Sequence, residues 1–493
     1  MTKAAASPTP AHLFLAYWQT AAALKPNQRS AAVRMPAAFL RAAREIAGQE
    51  DPQRAVEGLE ALTAARTETE RRGRMLAVMD AIDMLFAMLH PRTPRAATRR
   101  AARPPAWLVA LQDERMTKGA FLVADGHALI PRGPLLRTAR DPDASSADTL
   151  ADRFAYLTAI PLTLDDKGSM IDVCLKCVGM DLLTGVEPIA DRGNERIAFI
   201  PVAETADDLE IRRVDRGGNP HAYYGPAAGL QGGERLLSAL AALEAQDLAV
   251  APELVMSVEQ TRQVQAGLPR APGAPRLILL GTRHSEELEE DQAFNEAVLV
   301  NSVGSELWRQ CKLWPAKLDP EHACQLGLCD EGNGAHIPED NVSSREIKLV
   351  DIDGFGRVLV LICQDLKLAA IEPLIEASQP DWILVPVLAD NLALGRWAHR
   401  RALAISENTQ SRFVGVTSCS LAFRYETEPG PIGFALGPAQ PADENEPPAN
   451  QRAVMFVPAD PQGSPVAGTT RWHGSGWGQS RVGSFAAVPE TDP

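Results

Sequence analysis

The chain has 493 residues, 45% of them hydrophobic, and a formal net charge of −14. That is apolar material for roughly two or three domains, and the acidic balance excludes a general grip on nucleic acid, which needs a basic face. Seven cysteines, an odd number without secreted-style spacing, predict reduced thiols and a cytoplasmic location; no window reaches the ~18–20 apolar residues of a membrane span.

The opening segment, MTKAAASPTPAHLFLAYWQTAAAL, has a short apolar run carrying His12 and Gln19, and reads as a helix start rather than a signal peptide. Residues 11–90 are predicted helical. Met75, Met79, Ile82, Phe86 and Leu89 recur at three and four, an amphipathic stripe that reads as the core of a helix bundle. Its methionines leave open an adaptable surface for a partner. PRTPRAATRRAARPP, 91–105, breaks the helical pattern and reads as an exposed linker, with an anionic partner as the alternative. AFLVADGHALIP, 120–131, is a hairpin signal around Asp125-Gly126, and DPDASSAD, 141–148, a second linker.

Residues 155–179 predict another hairpin, turning at 165–168. It holds Cys174 and Cys177. A structural zinc needs about four ligands, and His322, Cys324 and Cys329 lie far off in another predicted unit. Ordinary thiols are the preferred reading.

From residue 196 the pattern turns regular. RIAFIPVAE, DLAVAPEL (247–254) and RLILLGT (276–282) read as strands, with helices over 232–246 and at VEQTRQVQAGL between them. AFNEAVLVNSVGSELWRQCKL, 293–313, is a strand, a turn at Gly304 and a second strand reaching Lys312. A loop-rich insertion spans 315–344. VLVLICQDL, 358–366, is an apolar run entering Cys363, the mark of a strand buried on both faces. A helix near 368–378, strand 381–389, helix 397–410 and strand 413–418 follow. Residues 424–452, rich in Pro, Glu and Gly, read as a mobile loop, and AVMFVPADPQG closes the pattern. Strands alternating with helices predict an α/β domain with paired strands inserted.

Three polar groups stand at the ends of predicted strands: Glu253 in Pro252-Glu253-Leu254, Lys312 in Arg309-Gln310-Cys311-Lys312, and Cys363 in Leu361-Ile362-Cys363-Gln364-Asp365. With 400–418 and the closing strand, their order resembles the nitrilase, or carbon–nitrogen hydrolase, superfamily over roughly residues 196–490. The resemblance implies a nitrilase-like α-β-β-α sandwich at 191–493, behind a helical N-terminal domain at 1–104 and a connecting region with β-hairpins at 105–190. It implies a Glu253–Lys312–Cys363 triad acting on a small amide, carbamoyl compound or nitrile through a cysteine thioester. No cofactor or metal is called for, and a homodimer is expected.

In that reading Glu253 carries the proton, Lys312 favours the thiolate and binds the oxyanion, and the Gln364 backbone N–H is the second oxyanion donor. A second glutamate near the lysine is expected, with Glu321 first and Glu339 behind it. Lys317 is the rival lysine. Asp365 is expected to orient the turn after the strand. GxSxG, HExxH and P-loop motifs are absent from the sequence. Two other readings stay open: a module that releases ammonia or modifies a bound molecule for a partner docked through residues 1–190, and a catalytically silent scaffold. Membrane and nucleic-acid partners are not expected.

Overall fold

The computed structural model describes residues 7–25, 35–91, 103–136, 150–179, 195–243, 246–270, 274–329, 336–438, 452–459, 466–473 and 476–484. Most of the Arg- and Pro-rich linker (92–102), the 141–148 linker and residues 439–451 lie outside them. The chain forms two compact units, and they do not follow the chain in simple order. One comprises residues 1–178, 349–357 and 370–381; the other comprises 179–348, 358–369 and 382–493.

The first unit is built on helices Pro10–Ala22, Ala37–Ala47, Pro52–Thr63, Glu68–Leu85 and Ala106–Lys118. The Met75, Met79, Ile82, Phe86 stripe faces inward and packs with Phe14, Trp18 and Phe154, so it serves this core. Asp125 and Gly126 both take positive φ between Leu122–Ala124 and His127–Pro131, as a tight type I′ hairpin turn requires. Thr163–Asp166 and Ser169–Val178 form the second predicted hairpin. Buried Asp351 ties this unit's distant segments together. Its carboxylate takes Arg357 Nε at 2.6 Å and Arg115 Nη2 at 2.9 Å. Burial opposes its charge, but the two guanidinium groups outweigh burial and hold the carboxyl below the usual range.

The second unit contains two sheets. One runs, edge to edge, Glu306–Cys311, Gln292–Asn301, Leu277–Glu289, Leu248–Val250, Arg196–Phe199, Val466–His473 and Gly476–Ser484. The other continues from residues 358–360 through Trp382–Pro386, Arg412–Val416, Gly433–Pro438 and Arg452–Val457. The strands alternate faces. Ala198, Ala249, Ile278 and Val298 pack against helices Gly232–Ala242 and Val258–Gly267. Phe199 points the other way, where a β-carbon on Gly433 of the opposite sheet would collide with its ring. Phe434, the next residue, lies under His399 of helix Trp397–Glu407. Helix, sheet, sheet and helix thus form four layers, an α/β arrangement. Glu195 and Arg412, both buried, pair at 2.8 Å between the sheets.

Three expectations need correction. Gly433–Pro438 is a buried central strand inside the stretch read as loop; its apolar GFALG core is diluted by the polar residues around it. Polar hairpin Leu209–Arg216/Asn219–Pro226, turning at Gly217-Gly218, was not foreseen. Cys324 and Cys329 are a disulfide, not reduced thiols. A short helix, Pro320–Gln325, and the turn after it bring their Cα atoms to 4.9 Å, inside disulfide range. Cys174 and Cys177 lie in the first unit and are not in a disulfide.

Removing the carboxylate in Asp351→Ala leaves two buried guanidinium groups facing each other. The substitution is expected to lower unfolding free energy by about 3–5 kcal/mol, measured by urea unfolding of the full chain. Because the folded pKa lies below the unfolded one, this contribution is complete above about pH 4 and is lost as pH falls through the folded value. The variant should therefore show a weaker acid dependence than the wild type.

Candidate active site

Each of the three sequence-marked groups sits just past the end of a strand of the second unit. Glu253 follows Leu248–Val250, Lys312 follows Glu306–Cys311, and Cys363 opens a single 3-10 turn, Cys363–Lys367, after Gly356–Val360. Glu253 and Lys312 are 0% exposed and Cys363 is 4% exposed.

The backbone around Glu253 is pinned. Pro252 offers no N–H, and its carbonyl accepts the N–H of Thr282 at 3.0 Å. The Leu254 N–H donates to Thr282 Oγ1 at 2.9 Å. Gly281 has φ +83°, and a β-carbon there would strike the Pro252 carbonyl, so this approach requires glycine. The carboxylate that results is fully engaged. Its Oε1 accepts Lys312 Nζ at 2.7 Å and Asn295 Nδ2 at 2.8 Å, and its Oε2 accepts the Leu388 N–H at 2.9 Å.

Lys312 is fixed by its own N–H on the Asn295 carbonyl at 2.8 Å. Besides Glu253, its ammonium meets Glu339 Oε2 at 2.6 Å. Glu339 is the second glutamate. Glu321, the expected one, is exposed on helix Pro320–Gln325, where the chain has turned away from the lysine. Glu339 is brought in because its N–H bonds the Ala316 carbonyl and its Oε2 takes the Ala316 N–H. Hairpin residue Ala222 bridges it from the other side. One signal could have found it: Pro338-Glu339 repeats the Pro252-Glu253 dipeptide, and a proline brings no donor of its own to satisfy in the interior. Lys317, the rival lysine, is exposed.

The Cys363 thiol and the Glu253 carboxylate act on each other's ionisation, and the Leu388 N–H, bonded to Glu253 Oε2 at 2.9 Å, favours the thiolate. The Cys363 backbone has φ 50°, a region costly for a non-glycine residue and frequent at functional sites. Asp365 holds the turn, its carboxyl oxygens accepting the N–H groups of Leu313 at 3.1 Å, Trp314 at 3.3 Å and Ile362 at 3.3 Å. One carboxyl thus ties the Cys363 turn to the residues after Lys312. Burial pushes it up to about 7. Gln364 follows Cys363 in the turn, half-buried. The Asp365 N–H is taken by the Ile362 carbonyl.

At the thiol, burial and the Lys312 charge pull in opposite directions, with Lys312 favouring the thiolate as expected. Burial pushes the Cys363 thiol well up, and the Glu253 carboxylate adds to this against the pull of Lys312. Burial would lower the pKa of Lys312, but Glu253 and Glu339 outweigh it and keep the ammonium charged. Burial also raises Glu253, opposed by Lys312. Two carboxylates around one ammonium leave a net negative cluster, and a thiolate would add a second unbalanced charge. Burial and Glu253 thus favour the neutral thiol, and Lys312 opposes them.

Among the described residues no group of three or more His, Cys, Asp or Glu side chains could hold a metal, and no helix is long and apolar enough to cross a membrane.

No protein-family model matches the chain, and no curated protein matches it. Solved structures do. An amidase from Nesterenkonia sp. is 18% identical at a TM-score of 0.32, over 55% of this chain and 94% of that one. Its cysteine-to-serine mutant, described as from the nitrilase superfamily, gives 16% at 0.32 over 54% and 92%. Saccharomyces cerevisiae Nit3, a member of branch 10 of that superfamily, gives 13% at 0.34 over 54% and 90%. Likenesses of this strength carry no weight for the chemistry, which rests on the geometry above.

Removing the negative charge in Glu253→Gln should lower the pH at which Cys363 is half-maximally alkylated by iodoacetamide. Removing the positive charge in Lys312→Met should raise it. Peptide mass spectrometry across a pH series reads both directions.

Proposed function

We propose that this chain is a carbon–nitrogen hydrolase of the nitrilase kind, cleaving a small amide, carbamoyl compound or nitrile through a thioester on Cys363. The observation that carries this reading is the buried cluster in which the Lys312 ammonium meets Glu253 at 2.7 Å and Glu339 at 2.6 Å, with the Cys363 thiol in the field of both Glu253 and Lys312. A core cysteine needs no such neighbours, and burying two carboxylates with an ammonium costs several kcal/mol per ion before pairing. The arrangement is hard to account for by stability alone.

In the proposed cycle Cys363 Sγ attacks the substrate carbon while Glu253 takes the thiol proton. Concerted removal suits a thiol whose own ionisation is disfavoured. Glu253, its pKa raised by burial, passes the proton to the leaving nitrogen. The C–N bond breaks and the acyl group stays on sulfur. Water then attacks the thioester, giving its proton to Glu253, and the C–S bond breaks. Lys312 Nζ is the cationic partner for the oxyanion, with the Gln364 backbone N–H proposed as the second donor. Glu339 acts through Lys312, holding its position and charge; its role is positioning. A homo-oligomer and a cytoplasmic location accompany the family resemblance, and the Cys324–Cys329 disulfide weighs against a reducing compartment.

Incubation with a panel of amides, ureas and nitriles should release ammonia and leave an acyl mass on the Cys363 peptide. Cys363→Ala should lose both. Glu253→Gln should lower kcat by roughly 10²–10⁴-fold, the usual loss of a general base. Ammonia release undiminished in Cys363→Ala would remove the assignment.

A further inference from the structure

Behind the Glu253–Lys312 pair lies a small cavity, and Leu254, Asn295, Glu339, Asn341 and Tyr224 are among the residues lining it. Its polar lining is unusual. Asn295 has spent its Nδ2 on Glu253 Oε1, an acceptor, which fixes the amide and leaves Oδ1 as the free end. That Oδ1, both side-chain polar atoms of Asn341 and the Tyr224 hydroxyl have no hydrogen-bond partner among the described residues. All three side chains are deeply buried, none more than 5% exposed. A buried polar atom left unpaired costs about 1–3 kcal/mol, and here four such atoms belong to three residues that line one space. They supply acceptors at Asn295 and Asn341, a donor at Asn341 and a hydroxyl that can do either. The space itself holds at most one water-sized molecule. A small site with two to four polar partners suits a bound water. No Lys or Arg lines it, the His284 Nε2 there is spent on the Tyr224 carbonyl at 2.7 Å, and Glu339 and Asp340 bring negative charge, which does not suit an anion.

We propose that this cavity is a binding site for one small, neutral hydrogen-bonding molecule of the water and ammonia class, and that it stages what Glu253 exchanges with the acyl group on Cys363. The proposal rests on the hydrolase reading above. Ammonia leaves when the C–N bond breaks and the thiol proton reaches nitrogen. Water enters when its oxygen bonds the acyl carbon, the C–S bond breaks and its proton returns through Glu253 to sulfur. Asn295 joins the two places, with one end of its amide on Glu253 and the other at the cavity. Asn341 and Tyr224 touch only the cavity molecule in this scheme.

The test separates the two chemical steps in the full-length protein. Asn341→Leu keeps the side-chain size and removes both polar atoms; Tyr224→Phe removes a single hydroxyl and is the milder variant should the first fail to fold. Formation and decay of the acyl adduct on Cys363 are followed by rapid quench and intact mass, with and without ammonium chloride. If the site stages water, adduct formation should stay within about twofold of wild type while decay slows about tenfold or more. If it stages ammonia, the wild type should be slowed by ammonium chloride through reversal of acylation, and the variants should lose that sensitivity. Adduct decay and ammonium sensitivity both at wild-type levels, or formation and decay falling together, would overturn the proposal. A wild type that forms no adduct would overturn the hydrolase reading itself, a result distinct from either.

Discussion

The site depends on one ammonium held between two carboxylates. Lys312 Nζ lies 2.7 Å from Glu253 and 2.6 Å from Glu339 with no access to solvent. In such surroundings the energy of each charge is dominated by its neighbours, because water is not there to screen it. The cluster carries one negative charge more than it balances. That excess adds to burial in raising the thiol, against the pull of Lys312. It also gives Glu339 a purpose: without it the ammonium and Glu253 would cancel, and the sulfur would feel a different field.

The backbone around the cluster is as constrained as its charges. Glu253 is reached through a proline whose carbonyl is approached so closely that Gly281 cannot carry a side chain. Cys363 sits at φ 50°, and the Asp365 carboxyl behind it binds three backbone N–H groups from two stretches of chain. Strain at the sulfur is thus held by a carboxyl that touches both the turn and the segment after the lysine. The three chemical groups converge because their backbones are tied, with the side-chain ion pair completing the arrangement.

Much of this was legible in the sequence, for physical reasons that differ from place to place. Strand 248–250 and the run 358–362 are buried on both faces, so both are unbrokenly apolar and the polar or thiol residue that follows each stands out. The amphipathic stripe from Met75 to Phe86 follows the ordinary helical period. Glu339 was harder to see because it arrives from an irregular insertion, held by the Ala316 backbone and by a hairpin whose strands are half-exposed and polar. Asn295 looked like an ordinary residue of a strand. Its value lies in an amide with two different ends, and no spacing rule shows that. The 433–438 strand was lost to averaging over a polar neighbourhood, and the 324–329 disulfide to a rule about cysteine counts that is blind to local turns.

The division of the chain carries a consequence for how the protein can be taken apart. The dozen residues that bear the sulfur, 358–369, are flanked on both sides by segments, 349–357 and 370–381, that belong to the other unit. A cut near residue 178 would not yield two self-sufficient halves. It would strand Asp381, whose carboxylate serves the N–H groups of Leu135 and Leu136, and leave Asp351 without Arg115. The N-terminal part is therefore no detachable appendage. Its unit is completed only by 349–357 and 370–381, the two segments that tether the cysteine loop at both ends.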